Sequence, residues 1–147
     1  MSTTGLIVLL ATLCVATAVG LALRSASGRV RGVSPAAVTG PDGWGLAGVA
    51  PEATREVLLL QLSSPVCAPC RQTAAVLGGL AADDPSLRHV EVDVAERAEV
   101  ARALGVLRTP TTVAFDSDGT ELARVSGVPR VDELLSAVDR APGTGRR

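Results

Sequence analysis

Cys67-Ala68-Pro69-Cys70 follows the apolar run Val57-Leu58-Leu59-Leu60-Gln61-Leu62 and opens a stretch, Ala68 to Ala82, with helical spacing. That junction decides the fold. A continuous apolar run with one polar break reads as a buried strand. After it, Val76, Leu77 and Leu80 recur on one helical face until Asp83-Asp84-Pro85 ends the pattern. Two thiols three residues apart therefore sit on the first turn of a helix leaving a strand. There the positive end of the macrodipole and unpaired backbone N–H groups favour thiolate over thiol. Thiolate is the form that attacks disulfides. The second thiol, one turn on, is placed to resolve the mixed disulfide that results.

Downstream, the periodicity keeps alternating. Leu87 to Val94 alternates like a strand, and Ala95 to Leu104 is helical with Gly105 as its stop. Thr111 to Phe115 and Glu121 to Ser126 flank Asp116-Ser117-Asp118-Gly119, which predicts a hairpin with an Asp-Gly turn. Val131 to Arg140 carries Val131, Leu134, Leu135 and Val138 on one face, an amphipathic closing helix, and residues 142–147 read as a flexible tail. The order β-α-β-α-β-β-α predicts one α/β domain over residues 51–141, a βαβ unit followed by a hairpin and a covering helix.

Upstream, residues 24–50 are rich in Gly, Pro and Arg, with Gly40-Pro41-Asp42-Gly43 as the clearest turn, and read as a linker. Trp44, the single Trp, either packs against the domain or sits at a membrane surface. Glu52 to Arg55 reads as a short helical turn. Residues 1–23 carry no charged side chain, and Leu6 to Leu23 is almost wholly apolar. At about 1.5 Å per residue, such a helix comes close to crossing a bilayer core of roughly 30 Å. A cleavable signal peptide is the competing reading, with Ala16-Thr17-Ala18 and Ser25-Ala26-Ser27 as small-residue sites. Against it stand the missing basic n-region and an apolar stretch longer than such peptides use. Arg24, Arg29 and Arg31 follow the span, and basic residues beside a span tend to stay cytoplasmic. The expectation is a single-pass protein of the cell membrane with its redox domain in the cytoplasm; an extracytoplasmic domain is the alternative. Cys14 reads as a small apolar residue of the span.

Composition narrows the classes. The 147 residues have a net charge of −1, which gives no reason to expect nucleic-acid binding. All 14 basic side chains are Arg, Tyr is absent, and Phe and Trp occur once each, so the core must come from Val, Leu and Ala. Three cysteines, one of them in the span, make no disulfide framework. A structural zinc site needs about four ligands. The domain offers two Cys and His89, so no metal is expected; His89 either lies near the active-site end or, the favoured reading, sits solvated on the polar face of its strand.

With the dithiol at the first strand-to-helix junction and Gly105-Val106-Leu107-Arg108-Thr109-Pro110-Thr111 leading into the hairpin, the chain resembles the thioredoxin family from about Val57 to Ala141. The resemblance implies a thioredoxin-like fold, a central mixed sheet flanked by helices, here preceded by one N-terminal transmembrane helix. It implies that Cys67 is the nucleophile, that Cys70 resolves, and that Val66, Ala68, Pro69, Thr109 and Pro110 contact substrate. It also implies a cis peptide bond before Pro110, which would hold the Thr109 backbone open for an extended substrate segment. No organic cofactor or metal is required. The partners implied are protein disulfides, a thiol electron donor and, through the first helix, a membrane. The function implied is a membrane-tethered thiol-disulfide oxidoreductase, with reduction the favoured direction; a non-catalytic redox sensor or scaffold is the alternative.

Three departures qualify the match. Val66 stands where the family usually has Trp. Gln61, six residues before Cys67, stands where many relatives bury an acid, and Gln exchanges no proton at ordinary pH. The family's first strand and helix have to fit the Gly/Pro-rich stretch before residue 57, shortened or missing. Pro69 has no N–H to offer a thiolate. Arg71 either adds positive charge beside the thiolate or faces solvent.

Overall fold

Seven consecutive residues, Val57–Ser63, form β2 with every side chain buried. A strand covered on both faces must pair both edges, and β2 does: parallel to β3 (Leu87–Asp93) and antiparallel to β4 (Thr111–Phe115). β4 pairs antiparallel with β5 (Glu121–Ser126), and β5 with β1 (Val30–Gly32). The mixed sheet has the order β1-β5-β4-β2-β3, as expected for the fold class. This computed structural model describes residues 3–26, 30–32 and 40–140.

Alternation along β2 divides the core in two. Val57 and Leu59 join Leu77 of α3 (Ala68–Asp83) and Leu134, Ala137 and Val138 of α5 (Val131–Arg140) on one face. Leu58, Leu60 and Leu62 point the other way, against Val100 of α4 (Ala98–Ala103) and Trp44 and Ala47 of α2 (Gly43–Ala47). Each buried Leu contributes roughly 1.5–3 kcal/mol by leaving water. With so few aromatics, this aliphatic density carries the core. α3 is the crossover between the parallel strands β2 and β3, so its N-terminus opens at the end of β2.

Two elements lie within the 24–50 stretch expected as linker: β1, which extends the sheet edge, and α2. The Asp42 carboxylate caps α2, accepting from the Trp44 N–H at 3.0 Å and the Gly45 N–H at 3.1 Å. Trp44 is only 3% exposed and its indole N–H donates to the Asp116 carbonyl at 2.7 Å. That settles its role as packing against the domain. The stretch before residue 57 thus holds a strand and a helix of three and five residues. Residues 52–55 form bends and a turn, with the Glu56 N–H donating to the Ala53 carbonyl at 3.2 Å, rather than a helix. α4 starts at Ala98, later than Ala95, because the Asp93 carboxylate takes the Ala95 N–H at 2.8 Å in a local turn. The hairpin turn is held by the Asp116 carboxylate, which accepts from the Asp118 and Thr120 N–H groups, with Gly119 at φ 79°. The tail, residues 142–147, lies outside the described residues.

Thr3–Ala26 is a 24-residue helix, α1, about 36 Å long at the standard rise. Over Thr3–Ala22 it is long and apolar enough to cross a membrane. Two of its hydroxyls bond within the helix: Thr12 donates to the Val8 carbonyl at 2.9 Å and Thr17 to the Leu13 carbonyl at 2.8 Å. Internal satisfaction of this kind is what lipid demands.

α2 depends on one close approach, because a Cβ built on Gly43 overlaps the Phe115 ring. Gly43→Ala is therefore expected to destabilise the domain by about 1–3 kcal/mol through overpacking, read as a lower urea midpoint at unchanged m-value.

Candidate active site

β2 ends at Ser63, and the chain turns through Ser64-Pro65-Val66 to Cys67, the N-cap of α3. The Cys67 sulfur accepts from the Cys70 N–H at 3.2 Å. An N–H aimed at sulfur at a helix N-terminus stabilises a thiolate there. Pro69 sits in the first turn, where a missing N–H leaves no intrahelical bond unmade. Cys67 and Cys70 form a disulfide, 2.10 Å between sulfurs and 5.2 Å between Cα atoms. The two halves differ in access. Cys67 is half-buried, whereas Cys70 is 2% exposed. Arg71, next along, faces solvent.

The segment before β4 reaches the same end of the sheet, because Thr111 pairs with Leu62 of β2. The Thr109–Pro110 peptide bond is cis, as the resemblance implied. Pro110 is buried, with its carbonyl accepting from the Gly127 N–H at 2.8 Å. The Thr111 hydroxyl donates back to the Arg108 carbonyl at 2.8 Å. The Thr109 and Ser64 hydroxyl oxygens lie 3.4 Å apart, so this loop meets the turn that carries the dithiol. Around it, Val66 is 94% exposed, and Ala68 and Pro69 are exposed as well. Leu107 is 98% exposed. Together with Val66, it is one of the two exposed large apolar side chains beyond α1 among the described residues. Leu107 and Ser64 received no role from the sequence. The available signal for Leu107 was an apolar residue with no helical or strand partner in the Gly105–Pro110 segment.

Beneath the disulfide the sequence reading needs correction. His89 does not sit solvated on a polar face. It is half-buried, with its Nε2 3.1 Å from Gln61 Oε1. Desolvation pushes the imidazole below its ordinary value, while the negative charge of Glu91 works in the opposite direction. Gln61 is fully buried, and its amide nitrogen donates to the Cys70 carbonyl at 2.9 Å and to Glu91 Oε1 at 3.2 Å. The register explains the meeting: Gln61 lies opposite Glu91, and Leu59 opposite His89, so these side chains share the sheet face that α3 covers. On that face Thr112, the β4 neighbour of Gln61, and Thr73, one turn beyond Cys70, bury hydroxyls that have no partner among the described residues. Among the described residues no group of three His, Cys, Asp or Glu side chains gathers as a metal site.

Comparison with known proteins gives a consistent result. The family model described as Thioredoxin matches residues 50–140. A protein of Arabidopsis thaliana named for thioredoxin H10 is 38% identical over 72 residues, 49% of this chain and 46% of that one. The chain thus spans about half the length of that relative. Thioredoxin H-type 1 of Nicotiana tabacum is 32% identical over 93 residues, covering 62% of this chain and 72% of that one. Among solved structures, Fasciola hepatica thioredoxin superposes with a TM-score of 0.53 at 28% identity, over 60% of this chain and 83% of that one.

Because burial favours neutral His89 in the folded chain, the unfolded chain binds that proton more readily. Stability tied to His89 is then present at pH 7 and declines as pH falls through the ordinary histidine range toward about pH 5. Urea midpoints of the oxidised protein are expected to drop over that interval, and His89→Gln to flatten the drop.

Proposed function

The chain belongs to the thioredoxin family and carries the dithiol of a thiol-disulfide oxidoreductase domain; from that premise we propose that it works as a membrane-tethered reductase of protein disulfides. The observation that carries this reading is the bonded Cys67–Cys70 pair at a helix N-terminus, with the first sulfur accessible and the second buried. In the reduced state Cys67 is the thiolate. It attacks one sulfur of a substrate disulfide, the substrate S–S bond breaks, and one substrate thiolate leaves. Cys70 gives its proton to water or to the departing substrate thiolate and attacks the Cys67 sulfur. The mixed disulfide breaks, the second substrate thiolate leaves, and the internal disulfide closes. A thiol donor returns two electrons to begin again.

The rim supports an extended protein substrate. The Thr109 backbone beside cis Pro110 is placed to pair with a strand-like segment. Exposed Val66, Ala68 and Pro69, next to Cys67 in the chain, offer apolar contact beside the sulfur, and exposed Leu107 adds an apolar side chain on the segment leading to Thr109. With Val66 in the place of an aromatic residue, that contact is aliphatic and smaller, which favours affinity drawn from backbone pairing. The length of α1 and the Arg24, Arg29 and Arg31 cluster after it support a single-pass anchor with the dithiol on the cytoplasmic side.

Two measurements test this. In insulin reduction driven by dithiothreitol, the wild type is expected to accelerate turnover and Cys67→Ser to fall to the uncatalysed rate. Cys70→Ser is expected to accumulate a mixed disulfide on Cys67, visible by intact mass. Equal rates for wild type and Cys67→Ser would remove the enzymatic reading, and redox-dependent capture of a partner without turnover would favour a sensor. For topology, a membrane-impermeant maleimide applied to intact, reduced cells is expected to leave Cys67 unlabelled until the membrane is opened. Labelling before opening would place the dithiol outside.

A further inference from the structure

The buried bonds beneath the dithiol have a direction. Both N–H groups of the Gln61 amide are committed to acceptors, the Cys70 carbonyl and a Glu91 carboxylate oxygen. Turning the amide over would set its oxygen against both. Its Oε1 therefore accepts, and the hydrogen in the 3.1 Å contact belongs to His89 Nε2. That bond survives in either charge state of the imidazole, and Nδ1 is the nitrogen that titrates. A proton on Nδ1 puts a positive charge one buried amide away from the carbonyl of Cys70. It also polarises Gln61 toward that carbonyl.

We propose that His89 is a positioning residue for the dithiol, taking up a proton as the Cys67–Cys70 disulfide is reduced and holding that charge against the pair through Gln61. The proposal rests on the oxidoreductase reading. In the disulfide state the sulfurs carry no charge, and the half-buried imidazole has only Glu91 to favour protonation. Reduction changes the balance. A thiol donor delivers two electrons, the S–S bond breaks, Cys70 takes one proton to become a thiol, and Cys67 is released as thiolate. The second proton, which an isolated dithiol would place on Cys67, resides on His89 Nδ1. Two electrons and two protons are taken up, and the thiolate persists to lower pH than it would alone.

The surrounding charges leave room for this role. On its own strand, Glu91 acts on the imidazole, and Asp93 holds the Ala95 N–H. Arg88 points away, to the Ala50 carbonyl and the carboxylates of Glu52 and Glu56. From β2 come only the uncharged Gln61 and Ser63 as polar side chains. From α3 come Arg71 in its exposed first turn and Asp83 at its far end. Gln61 cannot itself exchange a proton, which makes His89 the titratable side chain in contact with it from outside the strand pair Gln61–Glu91.

His89 is the single histidine of the chain, so its ring gives one unambiguous NMR signal. Titrated in the full chain in detergent micelles, its midpoint is expected to be about half a pH unit higher in the dithiothreitol-reduced protein than in the oxidised one. His89→Gln keeps a donor for Gln61 Oε1 and removes the titration. In dithiothreitol redox buffers the wild type is then expected to be about twofold more reduced than this variant at pH 6 and equal to it at pH 8. A midpoint that is unmoved or lowered on reduction overturns the proposal, even if the variant fails to fold; so does a variant that tracks the wild type at both pH values. Full insulin turnover with an unmoved midpoint sinks this proposal and leaves the reductase reading standing. A moved midpoint without insulin turnover supports the linkage and removes the reductase reading.

Discussion

The backbone of β2 is buried on both faces, and a strand so placed must have every polar group paired on both edges. β3 supplies one edge and β4 the other, in parallel and antiparallel senses. The parallel pairing forces a crossover, and α3 is that crossover. Its N-terminus then has to open where β2 ends, which is where Cys67 stands. Antiparallel pairing to β4 brings the Thr109–Pro110 segment to the same end of the sheet. The dithiol, its helix dipole and its facing loop are thus consequences of how one apolar strand satisfies its hydrogen bonds.

Because β2 is central, its single polar interruption has nowhere to hide. Gln61 is fully buried, and its amide is satisfied only by reaching the Cys70 carbonyl, Glu91 and His89. A fully bonded polar group in a low-dielectric core acts as a rigid connector. Here it joins the first turn of α3 to β3. Nearby, the Thr73 and Thr112 hydroxyls are buried without a partner among the described residues. Unpaired hydroxyls disfavour the folded state by about 1–3 kcal/mol each.

Much of this was legible in the chain because long elements carry long patterns. Val57 to Leu62, the α3 stripe and the Asp-Gly hairpin each repeat enough to be read locally, and the spacing of the two cysteines on a helical first turn specified the pair. What escaped depends on distant partners. α2 has five residues and β1 three, too few for a period. α2 exists because Asp42 caps it, Trp44 finds the Asp116 carbonyl and Gly43 lets Phe115 approach. His89 looked solvated because alternation assigns faces but not coverings. Only the register against β2 shows that α3 lies over that side. Leu107 followed no repeat and was silent until its exposure was seen.

The unequal access of the two sulfurs enforces a queue. An incoming oxidant, electrophile or partner protein can meet only Cys67, and Cys70 enters the chemistry solely by way of its neighbour. Such single-file order means that the inner sulfur is shielded from irreversible oxidation and acts as an escape valve. In the proposed cycle a client held on Cys67 by a disulfide would be displaced from within by Cys70, so partners bound that way would not stay trapped at the surface.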